Sequence, residues 1–511
     1  MSSHSTWRAA LAARLAEWKT VLLLIGGLLV LLLAVPASRL KLDESIESFY
    51  TPDDPFLLAY QESKRTFGGD EFVMVAYQAD DPTSQDELLK IREFSDELSA
   101  VPGVRPESTQ DLDDILNNPR ASLQMRIYLR IINRKLLELS RRVLIGDDGQ
   151  TTAIVLRLQD EAESPVSRTE TFRRIRQLAD AHDPPAFVAG EPIQVHDMFR
   201  YVEDDGWLLG LASSGLLMFV ILLFFRNLRW VFLPIAVIHV TLIWTKGALF
   251  LSGMQLSMVS SMLTSLITII GIATVMHVTV TYRELRETLT RTEAWAGTVE
   301  RLVGPIFWTC LTTAIGFASL LSSGITPVRS FGIMMSLGTL LVPLACLLIL
   351  PAGVLLGNWQ ADPRHPWGED WARRRLRGLA VSAVRWKWAV LTCALALSSV
   401  AGWGLSRLTV ETDFSKNFLE ESPIVQSLRF FEDRLGGVGS WEIAFDAPEE
   451  LSPDYLDRIR NLVDELRQLQ LPDGTKLTKV VALTDGLDPI PGLLARRIED
   501  KLTYVDQLQP E

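Results

Sequence analysis

Seven apolar runs, near residues 20–36, 206–225, 230–251, 257–281, 302–322, 330–353 and 388–405, decide the fold class of this chain. About 20 apolar residues suffice for an α-helix to cross a bilayer core. Within that core only helices and closed barrels satisfy every backbone N–H and C=O. The expected class is therefore a polytopic α-helical membrane protein. Its 22% charged residues are compatible with a mean hydropathy of +0.18 because the charge is segregated into 37–205, 282–301, 358–387 and 406–511. The first run has a second reading. Arg8, Arg14 and Lys19 precede it and Ala34-Val35-Pro36-Ala37 closes it, which is also the layout of a signal peptide.

Basic residues set the direction of insertion. Arg8, Arg14 and Lys19 come before the first run, Arg226 and Arg229 between the second and third, and Arg283, Arg286, Arg291 and Arg301 after the fourth. Arg373, Arg374, Arg375, Arg377, Arg385 and Lys387 precede the seventh. If the seven spans alternate, all four groups fall on one side, which is then cytoplasmic. The N-terminus is expected there, with 37–205 and 406–511 on the extracytoplasmic side.

An offset of 368 residues aligns the chain with itself without a gap. Trp18-Lys19 falls on Trp386-Lys387, Leu40 on Leu408, Asp43 on Glu411, Tyr50 on Phe418, Pro55 on Pro423, and Phe67-Gly68-Gly69 on Leu435-Gly436-Gly437. The match passes from a cytoplasmic tryptophan through a span into a water-side segment, so residues 386–511 begin a second copy of 1–385. Both copies enter the membrane in the same direction, as in a parallel repeat. This copy also favours reading the first run as a span. The expected organisation is an N-terminus and first span (1–36), a first extracytoplasmic domain (37–205), spans two to six (206–353), a cytoplasmic linker (354–387), a seventh span (388–405) and a partial second extracytoplasmic domain (406–511). A complete second copy would need more water-side domain and about five more spans. The chain thus reads as a little more than half of a transporter, which implies a partner: a complementary half or another copy.

In the first water-side segment, 71–77 and 152–158 read as strands and 86–98 and 169–181 as helices, followed by a strand at 186–189. The order suggests an α+β, ferredoxin-like split βαβ unit, with 110–144 as an inserted helical hairpin. The second copy offers a strand at 441–445 and a helix at 455–469. Net charge −12 argues against a nucleic-acid partner. Cys310, Cys346 and Cys393 all lie in apolar runs without a CxxC, so metal and redox chemistry are not expected. With no triad, paired carboxylates or phosphate loop, neither an enzyme nor a cofactor is expected.

Several stretches resemble the resistance–nodulation–division (RND) superfamily, in the branch of lipid and hydrophobe exporters with MmpL-like and hopanoid-transporter relatives. They are LDESIESFYTPDDP (42–55), FGGDEFVMV (67–75), GEPIQVHD (190–197), FFRNLRWVFLP (224–234) and PIFWTCLTTAIGFASLLSSGITPVRSFGIMMSLG (305–338). That branch shares its membrane core with the sterol-sensing domain of Patched-like proteins. The resemblance implies six spans per repeat, a porter-like domain after the first span, and energy from a proton gradient. It also implies a fourth span reading like Gly-Val-Asp-Tyr-x-x-His, with the aspartate in the proton relay. Here the matching residues are Gly271 to His277, the histidine is kept, and the carboxylate position is Ala273.

An ionisable group at membrane depth is costly and so marks a functional hypothesis. His277 reads either as a neutral ring bonded to a neighbouring helix or as a proton or substrate contact. His239, in the third span at a depth similar to Ala273, is a candidate replacement for the missing acid. Thr274, Thr312 and Thr313 complete the candidate path. Cys310, Ala314, Ala318 and Ser322, spaced by four, form a small-residue stripe suited to helix packing. Residues 283–301 suit an amphipathic helix lying on the membrane surface. Two functions remain: a transporter of lipids or other hydrophobic compounds, and a non-transporting lipid-sensing or scaffold protein of sterol-sensing type.

Overall fold

The computed structural model of the chain describes residues 4–67 except 44, 71–117, 134–357 except 162, 369–408 and, in pieces, 416–502; within the last range 417, 440–441, 449–450, 471–475, 489, 491–497 and 499–500 are left out. In chain order the main elements are α1 (His4–Glu17), α2 (Lys19–Ser38), α3 (Pro55–Phe67), β1 (Phe72–Gln78), α4 (Gln85–Ser99), β2 (Thr151–Arg157), α5 (Arg168–Ala181) and β3 (Phe187–Ala189). They continue as α6 (Glu191–Phe225), α7 (Leu228–Leu251), α8 (Met262–Arg286), α9 (Arg291–Ala318), α10 (Thr326–Leu355), α11 (Glu369–Arg385), α12 (Lys387–Leu405), α13 (Pro423–Leu435) and α14 (Pro453–Gln468). Seven of these, α2, α6 to α10 and α12, are long and apolar enough to cross a membrane. The chain divides into two compact units, 1–57 with 199–411, and 58–198 with 412–511.

The first unit is built around α10, which packs on α2, α7, α8 and α9. Lipid tails solvate apolar faces as well as a neighbouring helix does, so close approach rather than hydrophobicity fixes the contacts. Two glycines mark close approaches. A Cβ on Gly247 of α7 would meet Leu33 of α2 at 2.8 Å, and one on Gly338 of α10 would run into Ile267 of α8. Four buried threonines, Thr241, Thr245, Thr268 and Thr279, each donate to the carbonyl one turn back, whereas the buried Thr339 hydroxyl of α10 finds no partner among the described residues. Two basic residues counted above as orientation signals also close the end of α10. Arg229 donates to the carbonyls of Gly353 and Leu356, and Arg291 to those of Val354 and Gly357. Guanidinium groups there meet orphan carbonyls at the negative end of the helix dipole.

The expected surface helix over 283–301 is not a separate element. Residues up to Arg286 end α8, and Arg291 starts α9, whose first turns bury Ala294, Trp295, Thr298 and Val299 in the bundle. The charges suggested an interfacial helix, but the buried residues at helical spacing continue the span. Before the first span, α1 lies against α9, with Ala12 and Leu15 buried.

In the second unit the sheet order is β2-β1-β3, antiparallel throughout, with Phe72 opposite Arg157 and Met74 opposite Ala189. Val104 and Gln110 bridge the outer side of β2 at Leu158 and Val155. The segment after α4 therefore takes the place of a fourth strand, and the order is that of a split βαβ unit. On one face Val73, Val75 and Tyr77 pack with Ile91, Phe94 and Leu98 of α4 and Phe172 and Ile175 of α5. The other face presents Ala76, Ala153 and Ala189, and it is covered by Phe431 and Leu435 of α13. Three alanines leave a shallow bed into which the Phe431 ring fits. Of the expected inserted hairpin, 118–133 lies outside the described residues, and 134–140 is helical.

The two copies begin their helices at the same offset. α2 and α12 start at Lys19 and Lys387, α3 and α13 at Pro55 and Pro423, α4 and α14 at Gln85 and Pro453. The cap is copied too: the Ser84 side chain accepts from the Glu87 N–H, and Ser452 accepts from the Tyr455 N–H. The expected strand at 441–445 does not form. Trp441 lies outside the described residues, and 442–448 has no regular structure. A strand needs a ladder partner for its backbone groups, and no described segment supplies one there.

Candidate functional site

The candidate residues sit on three neighbouring helices whose buried faces are fixed by the packing above. On α7, His239 is exposed, one residue from Ile238, whose side chain packs at Gly271 of α8. That contact puts His239 and Ala273 at similar depth on antiparallel helices. His239 Nδ1 lies 2.9 Å from the carbonyl of Ile235. A carbonyl only accepts, so Nδ1 carries the proton, and a neutral ring presents Nε2 as an outward acceptor.

On α8, Ala273 and His277 are both exposed, in line with Met262, Ile269 and Glu284, while Gly271, Thr274, Val275, Val278 and Thr279 turn inward. Thr274 donates to the Ile270 carbonyl at 2.8 Å and is buried. Its hydroxyl is thereby used within its own helix. α8 runs on to Arg286, so His277 lies nine residues from the helix end, roughly 13 Å at the helical rise. On α9, Thr312 is exposed and donates to the Trp308 carbonyl at 2.9 Å, and Thr313 is half-buried. Among the described residues no hydrogen bond joins His239, His277, Thr312 and Thr313 to one another, so the bundle does not assemble them into one relay.

The structure extends the Thr312 candidate into an outward stripe. Thr309, Thr312, Gly316 and Ser319 of α9 are all exposed, at intervals of three and four. The adjacent stripe singled out from the sequence splits: Cys310 and Ala314 are buried, and Ser336 of α10 donates to the Ala314 carbonyl at 2.8 Å. The signal for the outward stripe was present as periodic polar and small residues. A one-residue phase separates it from the buried stripe, and periodicity alone does not say which phase faces in. Among the described residues no three His, Cys, Asp or Glu side chains group as a metal site would.

Three helices thus present polar groups on outward faces within spans: His239, then His277, then the Thr309–Ser319 stripe. Polar and ionisable side chains inside a membrane face other protein or a water-filled path in nearly all cases. The arrangement suits groups that a second set of spans would cover.

The MMPL family model matches residues 62–388. A membrane protein of Methanocaldococcus jannaschii is 22% identical over 369 residues, covering 67% of this chain and 92% of its own length.

Proposed function

The chain belongs to the MMPL family of the RND superfamily, and from that premise we propose that it moves lipids or other hydrophobic compounds out of, or across, a bacterial inner membrane as one of two paired copies. Family members are transporters rather than enzymes. The observation that carries the pairing is the set of outward polar groups: His239, His277, Thr309, Thr312 and Ser319 all lie on exposed faces of spans. A second six-span bundle converts those faces into the walls of a path.

A second apolar surface points the same way. Ile424 and Leu435 of α13 are buried, whereas their equivalents on α3, Phe56 and Phe67, are 79% and 60% exposed. In this reading the N-terminus is cytoplasmic, and the α+β unit works on the extracytoplasmic side, where it receives or releases substrate. Ala273 stands where the resemblance expects the relay acid, so this bundle does not couple to protons through that position. The test is translocation of a fluorescent lipid in vesicles holding the purified chain. Protein-dependent movement supports transport. Binding of lipid with no movement supports the sensing or scaffold reading instead.

A further inference from the structure

Helix α11 is an amphipathic helix, more cationic than its counterpart α1 in the first copy. At about 100° per residue, Ala372, Leu376, Leu379 and Ala383 fall within one narrow arc, Arg374, Arg377 and Arg385 fall across from it with Val381 between them and Val384 beside Arg377, and Arg373 and Arg375 flank it. The equivalent helix α1 carries Ser5, Thr6 and Ala9 where α11 carries Arg373, Arg374 and Arg377. α1 buries Ala12 and Leu15 against the bundle, whereas Leu376 and Leu379 of α11 are each 65% exposed. These three arginines are thus absent from the copy that packs on protein. They are present in the copy whose apolar face has no protein over it among the described residues.

Its position identifies what meets it. α11 ends at Arg385, Trp386 is the cap of the next helix, and the span α12 starts at Lys387. The helix is thus held at the membrane boundary by direct connection to a span. Trp386 and Trp388 are exposed at that boundary, and the Lys387 ammonium lies 5.9 Å from the Trp388 ring. Aromatic residues favour the headgroup level. The Arg375 guanidinium stands 5.7 Å from the Trp371 ring, which places a second amphipathic pair at the far end of the helix. The whole chain carries net charge −12, yet α11 and its junction with α12 hold five arginines and a lysine.

We infer that α11 lies in the membrane interface, with its leucine face in the acyl boundary and its arginine face binding the phosphates of anionic lipid headgroups. Juxtamembrane clusters of this size recognise anionic lipid at roughly fivefold per basic residue. Guanidinium groups match phosphate oxygens with paired N–H donors. The inference stands independently of transport.

The experiment uses the full chain purified in mild detergent, offered phosphatidylglycerol or phosphatidylcholine, with retained lipid counted by native mass spectrometry. Wild type is expected to retain phosphatidylglycerol in preference, with an apparent affinity that falls steeply with added salt. R373Q/R374Q/R377Q is expected to lose roughly a hundredfold of that affinity, and R373K/R374K/R377K to keep most of it. Should the triple glutamine variant fail to fold, the single variants R374Q and R377Q take its place, each expected to lose about fivefold of the affinity, and unchanged retention in both overturns the inference. Equal retention of the two lipids by wild type overturns the inference. So does unchanged retention in a folded glutamine variant. A third contrary result is burial of α11 in neutral lipid only when two chains associate, which would make it a protein-docking helix.

Discussion

His277 and Ala273 lie four residues apart on one exposed line of α8, and their roles differ. Ala273 cannot take a proton, and His277 has no hydrogen-bonded carboxylate beside it among the described residues. His277→Ala is therefore expected to lower the yield of assembled protein while leaving the response of translocation to an imposed proton gradient unchanged. Ala273→Asp places a carboxylate within the span, at an insertion cost of about 3 kcal/mol if nothing covers it. If that variant inserts, its translocation is expected to become gradient-dependent where wild type is not. Loss of gradient response in His277→Ala at unchanged protein level would assign the relay to the histidine. The same result for His239→Ala would assign it to α7.

At the scale of elements, the docking of α13 on the alanine face of the sheet is the most testable contact. Phe431 is fully buried there, and Phe187 stacks on Phe430 at 4.2 Å. Phe431→Ala is expected to destabilise the α+β unit by about 3–5 kcal/mol and to expose 423–435 to protease, while Phe56→Ala on the exposed α3 leaves stability nearly unchanged. The same contact has a pH signature. Arg434 lies 2.6 Å from Asp148. Burial opposes ionisation of Asp148, but hydrogen bonds from Gln150, Thr151 and Arg434 outweigh it, so its pKa sits below the ordinary 3.8. A lowered folded pKa gives stability that is present above the ordinary value and lost as pH falls below it. The gap in Tm between wild type and Asp148→Asn is thus expected to hold at neutral pH and to close below about pH 4. A gap that widens on acidification would mean that the carboxylate does not anchor α13.

These elements also show what the residues disclosed. Spans were legible because bilayer thickness demands a long apolar run, and the helices of the α+β unit because Leu88, Ile91, Phe94 and Leu98 recur at helical spacing. The 368-residue offset was legible to the level of a shared serine cap. What escaped was the choice of face wherever small or polar residues line both candidates. Nothing in Ala76, Ala153 and Ala189 announces that a helix from the second copy covers them, because small residues are compatible with any close neighbour. The same ambiguity hid the outward phase of α9 and turned the first turns of that helix into an apparent surface helix. The strand expected at 441–445 failed for a different reason, since its apolar residues say nothing about whether a ladder partner is present.

For the molecule as a whole, the account rests on a bundle whose intramembrane polar groups face outward and on a second copy that covers them. Removing this cover from wild type is not possible by a single substitution, but copy number is directly countable. The decisive measurement is lipid translocation followed vesicle by vesicle, with the number of labelled chains in each vesicle counted by stepwise photobleaching. The account predicts no translocation above background in vesicles with one chain and clear activity in those with two or more. Full activity in single-chain vesicles, or none at any copy number, would contradict it.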